Sequence, residues 1–236
     1  KDATDSASVF ALLGWRFLIA FIVISICAAT GVMKIELNGK SLKPLLLTAL
    51  LSPVLYFIGE TFGISMTTAS ESGVFLACIP VASVAASTII LKKKPALFQI
   101  VGITVTLAGV LITVFAVGAS TSFSIAGYAM LSIAVIVYAL YSVCVEKASG
   151  YSGAEVTYVM LAAGAAVFTI AAVIEALTKG TISSLAALPF TDKGFLIAVL
   201  YQGIGCSVLA FFMSNVAISK IGVNRTSSFV GVSTVV

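Results

Sequence analysis

The chain has 236 residues, 60% of them hydrophobic and 9% charged, with a mean hydropathy of +1.19. Soluble domains are roughly half apolar and a quarter charged, so a water-facing exterior is excluded and the outer surface must meet lipid. Thirteen Lys and Arg against nine Asp and Glu leave a net charge of +4. The basic residues are confined to short loops, which argues against a nucleic-acid surface and reads as membrane topology signals.

Apolar runs of spanning length recur at 9–30, 44–67, 70–91, 98–118, 125–145, 156–177 and 195–218, and an eighth opens near Thr226. Each full run is close to the ~20 residues that cross ~30 Å of hydrocarbon, and none shows the period-2 alternation of a barrel strand. The expected fold is therefore an all-α, polytopic membrane helical bundle with about eight helices. The intervening stretches "NGKSLKP", "LKKKP", "GASTSFS", "KASGYSG", "KGTISSLAALPFTDK" and "SKIGVNR" are rich in Gly, Pro, Ser and Lys, as loops are. Alternating the loops between two sides places Lys34, Lys40, Lys43, Lys92, Lys93, Lys94, Lys147, Lys220 and Arg225 together. Lys1, Lys179 and Lys193 fall on the other side, and Arg16 lies inside the first run. The richly basic side is assigned to the cytoplasm. From Arg225 onward the residues span only ~18 Å as helix, too short to cross, so a fragment of a longer chain is expected.

Cys27, Cys78, Cys144 and Cys206 lie within apolar runs, and the chain contains no His. They read as small buried residues rather than metal ligands, and no cofactor or metal is expected. No Walker motif is present either, so the chain itself is not expected to hydrolyse ATP.

Sliding the sequence against itself by 154 positions lays "VLYFIGETFGIS" (54–65) over "VLAFFMSNVAIS" (208–219), with five identical pairs between Val54/Val208 and Ser65/Ser219. Five crossings separate the matched helices, so they run in opposite directions. That is the arrangement of an inverted repeat, with a substrate site expected where the repeats meet.

"RFLIAFIVI", "GISMTTASESGVFLACIPV" and "KKKPALFQIVGITVTLAGVLI" resemble the EamA-type members of the drug/metabolite transporter superfamily, and the resemblance runs along the whole chain. It implies two five-helix inverted repeats, here 1–120 without its first helix and 121–236 truncated in its fourth. It also implies export of small metabolites such as amino acids across a bacterial inner membrane. The family pattern has a glutamate where Lys93 stands, and Thr234 occupies the repeat position of Pro80; neither change threatens the fold.

Among candidate residues, "TASE" (68–71) reads as a capping box, with Thr68 at the N-cap and Glu71 three positions on, at the outer water's edge. Glu60 lies ~22 Å up a helix counted from Leu45, inside the hydrocarbon, where a lipid-facing charge is costly. Arg16 lies ~10 Å below the same outer face and is the expected partner, either in a static Arg16–Glu60 pair or in a solute site. In the second case Arg16 takes a carboxylate, Glu60 an ammonium or a coupling proton, and Trp15 and Tyr56 grip apolar parts of a zwitterionic solute. Gln202, at a similar depth in "YQGIGCS", and Tyr138 and Tyr141 on the fifth run complete the candidate set. Gly203 and Gly205 either loosen their helix or let another approach; Gly59/Gly63 and Gly102/Gly109 read as close-packing surfaces. The expected function is secondary transport by alternating access. The alternatives are a channel or sensor, or an intramembrane enzyme, which would want two deep carboxylates.

Overall fold

The computed structural model describes residues 7–117 and 124–230, and they form helices without strands. In chain order the helices are α1 (Val9–Ala29), α2 (Lys43–Ser65), α3 (Ala69–Ile90), α4 (Leu97–Val117), α5 (Ile125–Lys147), α6 (Gly153–Thr178), α7 (Ile182–Thr191), α8 (Lys193–Ile221) and α9 (Val223–Val230). Six of these, α1, α2, α3, α5, α6 and α8, are long and apolar enough to cross a membrane. α4 and α7 contribute the shorter apolar stretches Leu97–Gly109 and Ile182–Thr191. The expected loop 118–124 lies outside the described residues except for Ser124, as does Thr234.

Local chemistry sets the helix ends. Ser8, Ser124 and Asp192 accept N–H bonds at the starts of α1, α5 and α8, and Thr68 and Ser152 open α3 and α6 with full capping boxes. Three crossings are interrupted. In α2, Pro53 removes a backbone donor and Ser52 is extended (φ −137°, ψ 122°), so the helix kinks within Leu50–Leu55. In α3 the helix breaks between Leu76 and Ile79, with Pro80 in the first turn of the second piece. In α8 the wide turn covers Tyr201–Leu209.

The chain folds into two compact units. The first comprises Lys1–Val54 and Gly150–Val216. Here α1 runs along α6 through Phe17 and Phe168, whose rings are 5.2 Å apart, and through Phe21 and Tyr158 at 5.6 Å. Leu12, Phe195 and Val199 form a core cluster with Trp15 and Ile19 packed on it. Gly203 lets α8 approach α1 so closely that a Cβ there would stand 3.0 Å from the Arg16 carbonyl oxygen. Both readings of this stretch hold together: the helix is loosened, and at Gly203 it also makes close contact.

The expected loop 179–193 is corrected, because it contains α7. Ile182, Leu185 and Leu188 recur at helical spacing, a pattern that the flanking Gly, Pro and Lys obscure. Pro189 lies inside α7 and has no N–H for the carbonyl four residues back, that of Leu185. That carbonyl instead accepts the indole N–H of Trp15 at 3.0 Å, which fastens α7 to α1.

The second unit comprises Leu55–Ser149 and Ala217–Val236. The later part of α2 packs on α5 across Gly59 and Gly63, where a Cβ would come 3.0 Å from the Met130 oxygen and 2.6 Å from Leu131 Cγ. The close-packing expectation holds for this pair. Around Gly102 and Gly109 an added Cβ would meet nothing within 4 Å among the described residues. Gly102 instead lines an open apolar groove with Val81, Val84, Phe98 and Ile103.

Large aliphatic side chains such as Ile89, Val105, Ile136, Ile170, Ile197 and Met213 stand exposed, as lipid-facing residues do. Gly153→Ala is expected to lower thermal stability in detergent by ~1–3 kcal/mol, because its Cβ would meet the Val216 backbone nitrogen at 2.7 Å. Gly73→Ala, with nothing within 4 Å, is expected to leave the melting temperature unchanged or raised.

Candidate functional site

The first unit holds Arg16, Trp15 and Gln202. Arg16 is half-buried on α1. Its Nε donates to Ser207 Oγ at 2.9 Å and its Nη1 to Gln202 Oε1 at 3.3 Å. Both acceptors come from the wide turn of α8, and Ser207 is fully buried. The guanidinium carbon also stands 5.5 Å from the centre of the Phe17 ring, within cation–π range. A fork held by these bonds is oriented, since neither permits the planar group to rotate freely. The Trp15 indole N–H is committed to the Leu185 carbonyl, so this residue anchors α7 beside Arg16. Ser207 was not singled out in the sequence, although it closes the same "YQGIGCS" stretch as Gln202.

The second unit holds Tyr56, Glu60, Tyr138 and Tyr141. The Tyr56 hydroxyl donates to Glu60 Oε1 at 2.6 Å, across one turn of α2. Tyr56 and Tyr138 meet edge-to-face at 5.2 Å, and Tyr138 and Tyr141 do so at 5.2 Å. Tyr141 is fully buried and Tyr56 nearly so, while Glu60 and Tyr138 are half-buried. The result is one carboxylate beside a chain of three aromatic rings.

Glu71 caps α3 as expected: its Oε2 accepts the Thr68 N–H at 2.7 Å, and its own N–H donates to Thr68 Oγ1 at 3.2 Å. The expected solvation of its carboxylate is corrected, because only 5% of the residue is exposed. The Tyr128 hydroxyl donates to its other oxygen, and the Tyr128 ring stacks on Phe75 at 5.1 Å. No local pattern pairs Tyr128 with an acid 57 positions away. A second acid of this type escaped notice despite a readable signal. "SGAE" (152–155) repeats the Ser/Thr-x-x-Glu pattern, and Glu155 caps α6 while also accepting from Lys40 Nζ at 2.8 Å and the Glu36 N–H at 3.1 Å.

Among the described residues no group of three His, Cys, Asp or Glu is placed to hold a metal ion. A bundle of spanning helices, with an oriented arginine and an acid–aromatic cluster inside spanning helices, is the build of a multi-pass membrane protein. Comparison with known proteins agrees. The EamA-like transporter family matches residues 1–115. The uncharacterized transporter YcxC of Bacillus subtilis (strain 168) is 31% identical over 238 residues, covering 100% of this chain and 76% of that protein. An uncharacterized transporter in the sor 3′ region of Acidianus ambivalens is 27% identical over 154 residues, covering 65% of this chain and 56% of its own length. One crystal structure is similar over 99% of this chain and 82% of its own, with a TM-score of 0.66 at 17% identity, which supports the fold.

The chain belongs to the EamA-like transporter family of the drug/metabolite transporter superfamily, and the protein is a membrane transporter. Glu71→Ala is expected to cost ~1–3 kcal/mol of stability in thermal unfolding, since it removes a cap and leaves Tyr128 without its acceptor. Glu71→Gln, which can keep the capping box, is expected to fall between wild type and the alanine variant.

Proposed function

We propose that the protein is a secondary transporter that exports small zwitterionic metabolites, amino acids foremost, by alternating access of two inverted repeats, 1–120 and 121–236. Family membership supports transport of a small solute, and the direction rests on the resemblance to EamA-type exporters. The repeat reading has one structural support. The kinked stretch Leu50–Leu55 of α2 corresponds, at the offset of 154, to 204–209, which lies within the wide turn Tyr201–Leu209 of α8. The two matched helices thus depart from α geometry at the same repeat position, α2 by a kink at Ser52 and α8 by a wide turn.

The observation that carries the solute chemistry is the orientation of the Arg16 fork by Ser207 and Gln202. An arginine stays charged at any working pH, and its planar donor set matches a carboxylate in two parallel bonds. In this reading Arg16 receives the solute carboxylate, with Gln202 as a neighbouring polar contact. Glu60, with Tyr56, Tyr138 and Tyr141, supplies the acid and aromatic faces that suit an ammonium group, and it carries the coupling proton. Each set is described by the geometry of its own unit.

The test is transport by the full-length protein in proteoliposomes. Arg16→Ala is expected to reduce amino-acid counterflow at least about thirtyfold. Glu60→Gln is expected to abolish accumulation driven by a pH gradient while leaving some exchange. Normal amino-acid movement in both variants would overturn the reading, and flux that does not saturate or show counterflow would point to a channel.

A further inference from the structure

The basic residues of the second unit do more than crowd one side of the membrane. Lys93, Lys94, Gln99, Asn224 and Arg225 line a single open cavity of about 520 Å³, together with Ile221 and Gly222. Its walls are fastened by bonds independent of any ligand. Gln99 accepts the Ala96 N–H at 2.8 Å through its oxygen, and its amide donates to the Asn224 carbonyl at 2.8 Å and Ser228 Oγ at 3.2 Å. Glu146 pairs with Lys93 and accepts the Val223 N–H at 2.6 Å, so the first donor of α9 is already taken. The cavity is therefore held open between the start of α4 and the start of α9.

Lys94 and Arg225 line it and make no ion pair among the described residues, so a ligand for this site needs an anionic group. Directly alongside, sharing Gln99, runs the apolar groove of about 500 Å³ lined by Phe98, Val81, Val84 and Ile103. Phe98, which lines it, is 88% exposed. A polar cavity of positive charge that opens into an apolar trough matches one amphiphile, and it lies on the side that the positive-inside rule assigns to the cytoplasm.

We propose that this cavity binds the headgroup of an anionic phospholipid such as phosphatidylglycerol, with an acyl chain laid in the adjoining groove. Lys94 and Arg225 receive the phosphate, and Phe98 packs on the chain. The site serves to bind lipid and contains none of the residues assigned to solute recognition, so it stands or falls apart from the transport reading.

The experiment is native mass spectrometry of the full-length protein titrated with phosphatidylglycerol and with phosphatidylcholine of identical chains. Size-exclusion profiles verify that each variant is folded. Phosphatidylglycerol is expected to be retained over phosphatidylcholine, with retention weakened about fivefold by Lys94→Gln or Arg225→Gln and about thirtyfold by the pair. Lys34→Gln, a charge outside the cavity, is expected to change nothing. Equal retention of the two lipids, or an unchanged preference in the double variant, would overturn the proposal. So would competition by soluble glycerol phosphate at the concentration of the lipid, which would mark a site for free phosphate esters.

Discussion

A backbone carbonyl or N–H released from a helix inside hydrocarbon has no water to bond, and it must find a partner in the protein. Much of the local architecture follows from this constraint. Pro189 frees the Leu185 carbonyl, and Trp15 takes it, so that a short helix is tied to the one that carries Arg16. The wide turn of α8 departs from α geometry and delivers two side chains, Gln202 and Ser207, to the Arg16 guanidinium. Pro53 and the extended Ser52 open α2 just before Tyr56 and Glu60. The helices are interrupted at or next to the polar residues, which is how a membrane bundle can hold polarity at depth without exposing it to lipid.

The same constraint sorts the acids. Glu71 and Glu155 close capping boxes, and Glu146 accepts the first N–H of α9. Each of the three also accepts from a side chain distant in sequence: Tyr128, Lys40 and Lys93 respectively. A carboxylate at a helix start is favoured by the free N–H groups and the positive helix end, so these acids act as structural pins. Glu60 is different in kind. It sits past the first turn of its helix piece, bonded to a phenol, in a row of aromatic rings.

Much of the fold was legible because a single quantity, the length of apolar runs, decides what can span a membrane. Seven of the runs read from sequence coincide with helices to within a few residues, and the eighth opens where α9 lies. α7 was missed because its apolar spacing is set among Gly, Pro and Lys, the usual marks of a loop. In the candidate sets, local spacing put Tyr56 and Glu60 one turn apart and revealed the Glu71 cap. It could not reveal Tyr128 on Glu71 or Ser207 on Arg16, which depend on tertiary approach across 57 and 191 positions. Glu155 had the same local signature as Glu71, but its apolar surroundings drew attention to the span and away from the cap.

The central claim is that Arg16 reads a carboxylate. Equilibrium binding of an amino acid and of its carboxamide to the purified full-length protein tests this most directly, in wild type and in Arg16→Gln. Wild type is expected to favour the acid over the amide, and the substitution to abolish the difference. The same discrimination in both proteins would contradict it.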